Sequence, residues 1–386
     1  MTNGSTASLP RTLFSQEHEQ FRSVVRRFCE EVIAPDHDEW SDAQRVPREI
    51  WSMAGKLGML CAWVPEAYGG LGTNILFDVV VSEELGRIGA TGPSFPLHSL
   101  IVAPYIVDLA TDELKLRLLP GMVRGEKIGA IVMTEPGAGS DLASIKTSAV
   151  RDGNGWRING QKTFITNGQN ADVMVVACVT DPARRAKGIS LFVVEAGSDG
   201  FSRGRNLRKI GQHAQDTAEL FFDDVHVPVD NLLGEVGMGF AYMMQRLVQE
   251  RLLVSVQCQS RAEGAFQATL AYVTDRKAFG QRVLDFQNTR FKLADLKAQL
   301  MAGRAFCDRL IELQIEGQLD AVHAAAGKLW HSEMLGRVVD ECLQLHGGYG
   351  YMAEYPIGRA FVDARIERIY GGTSEIMKEV VGRSLA

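Results

Sequence analysis

Residues 131–141 read Ile-Val-Met-Thr-Glu-Pro-Gly-Ala-Gly-Ser-Asp. Ile131–Met133 are apolar and read as the end of a buried strand. Pro136 keeps Glu135 out of helical geometry, and Gly137 and Gly139 let the backbone bend tightly or approach a ligand closely. Thr134 and Ser140 add hydroxyls, each able to donate and accept. A strand running into such a turn makes a floor for a flat, polar-edged ligand. It is not a dinucleotide fingerprint, because no glycine follows Gly139 at the required spacing. Taken alone, the stretch reads equally well as an ordinary Gly-Pro loop.

Outward from it the texture changes on both sides. On the C-terminal side, short alternating apolar runs at 144–151, 156–166, 172–180, 188–195 and 217–227 are separated by turns, and Asp152-Gly-Asn-Gly155 is a strong hairpin signal. This spacing predicts a small antiparallel β-barrel or sandwich over residues 126–236. On the N-terminal side, residues 15–34 place Phe21, Val24, Val25, Phe28, Val32 and Ile33 at helical spacing, with Ser15 as N-cap and Pro35 ending the run. Pro47 suits the first turn of the next helix, residues 65–72 form a loop, and helical patterns follow near 74–89, 95–109 and 112–124. An all-α domain is expected over 1–125. From about Gly239 the pattern is helical again, near 239–275, 286–315, 321–346, 357–367 and 374–383, which predicts an α-helical bundle over 237–386. The order of helices, strands and helices, without βαβ repetition, makes the chain α+β.

With 386 residues the chain has room for two or three domains with sizeable cores. A charged fraction of 23% is that of an ordinary soluble globular protein. The net charge of −6 leaves no footprint for nucleic acid or an anionic membrane. Six scattered cysteines without CxxC spacing read as reduced thiols, and the histidines show no ligand spacing, so no metal is expected. Met1–Pro10 lacks the apolar core of a secretory signal and the arginines of a transit peptide, and no apolar run is long enough to span a bilayer. The expected compartment is the cytoplasm, with a frayed leader.

A second motif, Gly160-Gln-Lys-Thr-Phe164-Ile-Thr166-Asn-Gly168, places an aromatic and a hydroxyl two apart, on one face of a strand. Together, Thr-Glu-Pro-Gly-Ala-Gly-Ser-Asp and Phe-Ile-Thr-Asn-Gly resemble the acyl-CoA dehydrogenase family. The resemblance continues through Arg276-Lys-Ala-Phe279-Gly, Gln287, Gln344-Leu-His-Gly347-Gly348 and Ile369-Tyr-Gly-Gly-Thr373-Ser-Glu375, from about Phe14 to the C-terminus. It implies FAD-dependent α,β-dehydrogenation of a fatty acyl-CoA thioester, with flavin N5 as hydride acceptor. By resemblance, Met133, Thr134 and Ser140 line the flavin edge. Phe164, where Trp is frequent, packs behind the ring with Thr166. Arg276, Phe279, Gln287, Gln344, Gly347, Gly348, Thr373 and Glu375 serve the rest of the FAD, partly across a subunit boundary. Ser140, Arg251 and Gly371 are implied at the substrate.

The departure lies in Ile369-Tyr-Gly371. Many members of the family carry their catalytic glutamate at the position of Gly371, and glycine accepts no proton. The isovaleryl and long-chain branches carry it instead at the position matching Glu250, in Gln249-Glu250-Arg251, and the tail Tyr-Gly-Gly-Thr-Ser-Glu-Ile-Met-Lys is most similar to the long-chain branch. Glu250 is therefore the expected base, with Gly371 N–H as a donor to the thioester oxygen. The resemblance further implies a homo-oligomer, a tetramer, passing electrons to an electron-transfer flavoprotein. Two alternatives are an acyl-CoA oxidase on the same fold and a non-catalytic binding protein. The chain's end near Ala386 leaves no room for the extra domain of large oxidases, and its acidity counts against DNA.

Overall fold

The computed structural model describes residues 10–385, so the expected frayed leader lies, apart from Pro10, outside the described residues. The chain forms two compact units. One comprises Val32–Val81 and Thr91–Glu250; the other comprises the described part of Met1–Glu31 with Ser82–Ala90 and Arg251–Ala386.

The first unit is built on one eight-stranded sheet. Its strands are β1 Gly129–Val132, β2 Ser148–Asp152, β3 Gly155–Thr166, β4 Val173–Val179, β5 Ile189–Glu195, β6 Phe201–Asn206, β7 Thr217–Pro228 and β8 Leu232–Leu233. The path runs β6-β7-β3-β2-β4-β5-β8, with β1 beside β4. Of the expected antiparallel barrel or sandwich, no closed barrel is formed. The end strands β6 and β8 do not pair, and β2 joins β4 through the single pair Ser148↔Val179. The sheet is mixed because β2 and β3 form a hairpin between β1 and β4, so β4 runs parallel to β1. The Asp152–Gly155 turn is as expected: Asp152 pairs with Gly155 and Gly153 takes φ +53°.

β4 and β5 are apolar at nearly every position because the sheet is covered on both faces there. Strand alternation sorts their side chains. Val173, Val175, Ala177, Leu191 and Val193 join one core, while Met174, Val176, Cys178, Phe192 and Val194 join another. The first core is shared with the helices Ala103–Leu109 and Asp112–Val123, through Tyr105, Ile106, Leu114, Leu118 and Met122. His98 bridges the layers: Gly129 N–H donates to its Nδ1 (3.0 Å), so its Nε2–H donates to Met122 O (3.1 Å).

The second unit is helical. The C-terminal half of the helix Gly239–Asp275 packs against Gln287–Ile315 and Ala321–His346 through Val254, Cys258, Phe266, Leu296, Leu300, Met334 and Val338. Along each helix these residues recur four or eight apart, a spacing that keeps them on one apolar face. At the other end of the chain, Pro35 does not stop its helix. A π-helical turn at Cys29–Ile33 precedes Ala34–Ala43, where Pro35 sits in the first turn. There the missing N–H is harmless.

Candidate active site

The sequence-derived candidates fall in both units and are described within each. In the first unit, β1 ends in the turn 133–147, fastened by a buried carboxylate. Glu135 accepts from Lys146 N–H (2.6 Å) and Thr147 N–H (2.9 Å), and its Oε1 pairs with Lys162 Nζ at 2.9 Å. Lys162, fully buried on β3, also donates to Met133 O at 2.9 Å. Burial works to raise the Glu135 pKa, yet the Lys162 charge and these donors hold the carboxyl below its usual range. Thr163 N–H donates to Thr134 O (2.9 Å), tying β3 to the same turn. Met133 is buried, Thr134 half-buried and Ser140 exposed. A Cβ added at Gly137 or Gly139 would meet nothing within 4 Å. Bare backbone and an exposed hydroxyl thus face open space on a rigidly held turn.

Phe164 and Thr166 do not share an uninterrupted strand face. The β3–β7 register shifts between Lys162 and Ile165, and Phe164 sits in that bulge at φ +60°. Its ring is 66% exposed while Ile165 is buried and Thr166 half-buried. A bulky residue in the left-handed region marks a conformation its surroundings impose, and here the imposed conformation presents an aromatic ring outward.

Glu250, the candidate base, is 9% exposed. The same stretch of its helix is fastened within the first unit by Gln249 Nε2 donating to Leu100 O (2.8 Å) and by an Arg246–Asp108 ion pair. The carboxylate of Glu250 bears on the phenol of Tyr105, a fully buried residue.

In the second unit a cleft of about 570 Å³ is lined by Arg276, Gln344, Gly347, Gly348 and Tyr349, among others. The Arg276 guanidinium lies 5.3 Å from the centre of the Tyr349 ring, and Gly347, at φ +60°, and Gly348 each leave open space where a Cβ would stand. A cation, an exposed amide and bare glycine backbone around one cleft are a donor set suited to a pyrophosphate or a nucleoside. Phe279 is not part of this lining; it stands 98% exposed at φ +51° in the Lys277–Arg282 hairpin. Gln287 is exposed at the start of its helix.

The tail loop is separately organised. Gly371 and Gly372 take φ +63° and +96°. Lys328, fully buried, donates to Gly372 O at 2.6 Å, and a Cβ on Gly372 would lie 2.6 Å from Met377 Cε. Arg251 is buried, its guanidinium 3.7 Å from that Cβ position. Thr373 caps the last helix, accepting from Ile376 N–H (3.3 Å), with Glu375 in its first turn.

Sequence reasoning did not single out Lys162, Lys328 or Tyr105. Lys162 lies inside the second motif, but nothing local distinguishes a buried lysine from a solvated one. Tyr105 sits in an apolar helical run and reads as core.

Family models match three consecutive stretches: the acyl-CoA dehydrogenase N-terminal domain at 15–126, its middle domain at 130–225 and its C-terminal domain at 237–386. Over 377 residues the chain is 49% identical to the mitochondrial long-chain specific acyl-CoA dehydrogenase of Mus musculus, covering 97% of this chain and 88% of that protein. It is similar to the crystal structure of acyl-CoA dehydrogenase from Geobacillus kaustophilus, with TM-score 0.96, 48% identity and coverage of 97% and 100% of the two chains. It also resembles a chain solved in work on the electron transferring flavoprotein of Acidaminococcus fermentans, with TM-score 0.94, 34% identity and coverage of 97% and 99%.

Proposed function

The chain belongs to the acyl-CoA dehydrogenase family and is an oxidoreductase, and from that premise we propose that it converts long-chain or branched acyl-CoA thioesters to trans-2-enoyl-CoA. The observation that carries this reading is a buried carboxylate at Glu250 in a chain whose position 371 is glycine. Glu250 takes the proton from Cα of the thioester. As that proton leaves, charge develops on the thioester oxygen, and Gly371 N–H donates to it, a role that needs no side chain. Ser140 and Arg251 support the substrate. Burial of Glu250 keeps water from competing for the proton and strengthens each electrostatic contact.

The donor set fits FAD. Met133, Thr134, Ser140, Phe164 and Thr166 would hold the flavin end. Arg276, Gln344, Gly347 and Gly348, with Phe279, Gln287, Thr373 and Glu375, would hold the remainder. FAD, when bound, supplies the acceptor for the hydride from Cβ. We further propose a homotetramer, with an electron-transfer flavoprotein as electron acceptor; the likeness to the A. fermentans chain supports that partner. The six described cysteines are free and buried, which accords with a reducing compartment such as the cytoplasm.

The test is an anaerobic panel of acyl-CoA thioesters, from short to long and branched, mixed with the FAD-loaded protein, followed by reoxidation with electron-transfer flavoprotein or with oxygen. The reading expects fastest flavin bleaching with long or branched chains and reoxidation by the flavoprotein. Rapid reoxidation by oxygen alone would make the protein an oxidase, and no bleaching by any thioester would make it a binding protein.

A further inference from the structure

Within the first unit, one helix and the opening turns of another face each other with matched polar pairs. The helix Ala103–Leu109 carries Tyr105 and Asp108, three apart, and the helix Gly239–Asp275 carries Arg246 and Glu250, four apart. Each spacing puts its pair on one helix face. Arg246 closes on Asp108 and Gln249 donates to Leu100 O one turn away, and the same spacing brings Tyr105 and Glu250, both buried, to facing positions. The Tyr105 hydroxyl is shut off from solvent and makes no hydrogen bond within the usual geometric limits. Two polar contacts therefore fix the turn of the longer helix that ends in the carboxylate proposed as the base.

Tyr105 stands in an apolar core with Val102, Ile106, Leu118 and Met243. If it only filled space there, phenylalanine would serve, since burying a hydroxyl without a partner is unfavourable. We propose that Tyr105 is a positioning residue for the Glu250 base: its hydroxyl is directed at the carboxylate, sets the orientation of the oxygens and keeps them ionised. The inference rests on the reading of Glu250 as base.

The electrostatics agree. Burial first, and then the Glu250 carboxylate, push the Tyr105 phenol well above its ordinary pKa, with Arg246 acting in the opposite direction. The phenol is thus a neutral donor throughout the working pH range. Among the described residues the charged groups bearing on it are Glu250 and Arg246, both from the facing helix, while Asp108 on its own helix is engaged with Arg246. A carboxylate buried without a donor is driven toward its neutral form, and a hydrogen bond to the charged form opposes that drift. A base that must be ionised before it can act benefits directly.

The experiment compares wild type, Tyr105→Phe and Glu250→Gln, each loaded with FAD. Two readouts are taken: the pH profile of flavin reduction by acyl-CoA, and an infrared titration of the protonated-carboxyl band that Glu250→Gln abolishes. Tyr105→Phe is expected to bind FAD and acyl-CoA normally and to shift both the acid limb and the infrared titration upward by about one pH unit. The maximal rate is expected to fall roughly 10-fold, from lost orientation of the base. An acid limb and a carboxyl band unmoved by Tyr105→Phe overturn the inference, whatever the variant's stability, and leave the assignment of Glu250 standing. Rapid reduction by Glu250→Gln overturns both. Uniform replacement of tyrosine by 3-fluorotyrosine, which strengthens the phenol as a donor, supplies the second arm. The limb is expected to move downward, and an unmoved limb again overturns the inference.

Discussion

His98 shows how much one buried side chain can contribute. Its two ring nitrogens are fully used by Gly129 N–H and Met122 O, which fixes the neutral tautomer. Burial lowers its pKa from 6.5 to about 4, against the weaker opposing effect of the Met122 carbonyl. Because the folded-state value is the lower one, the stabilisation is complete above pH 6.5 and is lost as pH falls toward 4, where the unfolded chain binds a proton that the folded chain refuses. The span corresponds to about 3 kcal/mol. Urea unfolding midpoints measured from pH 7 to pH 4 should fall along this course, and His98→Gln should be less stable at pH 7 with a flatter decline. A parallel decline in both proteins would remove His98 from the account. The sequence offered no hint of this role. A histidine in an apolar run looks the same whether it bridges two layers or fills a gap, and the same holds for Lys162 and Tyr105. What the sequence did carry at this scale were the glycines. Positive φ at Gly371 and open space over Gly137 and Gly139 follow from residues chosen for backbone freedom.

Among elements, the helices were the more legible. Ala321–His346 and Ser374–Arg383 have the bounds that their helical patterns predict, and Asp320 and Thr373 each satisfy a first-turn N–H group from the side chain. The helix at Pro35 was misread, since a π turn just before it accommodates what would otherwise be a break. β6 was missed because Phe-Ser-Arg-Gly-Arg-Asn has no alternation, and β8 because two residues carry no pattern. The bulge at Phe164 was invisible for a similar reason: register belongs to the pairing with β7, not to β3 alone. Helix crossing is set by equally quiet residues. A Cβ at Gly264 would stand 2.3 Å from the carbonyl oxygen of Arg87, so two helix backbones in the second unit touch there. Gly264→Ala should gain helix propensity yet destabilise the protein by about 1–3 kcal/mol through forced separation, read as a lower urea midpoint. A neutral or stabilised variant would show that the contact is slack.

For the molecule as a whole, the α+β class was readable from the order of helical and strand patterns and the acyl-CoA dehydrogenase family from its motifs, whereas sheet closure was not. Strand count and spacing do not say which edges meet, so a barrel or sandwich was expected, and the sheet found is mixed and does not close into a barrel. The functional reading depends on a substitution that is plain in the sequence: glycine at 371, with a carboxylate at 250 that the fold buries. The account stands or falls on that carboxylate. The direct measurement is anaerobic stopped-flow mixing of acyl-CoA with FAD-loaded wild type and Glu250→Gln, following flavin absorbance. The variant keeps the shape of the side chain and loses the proton acceptor. The account predicts retained FAD and bleaching slowed by roughly 10²–10⁴-fold or more. Bleaching by Glu250→Gln at the wild-type rate would contradict it.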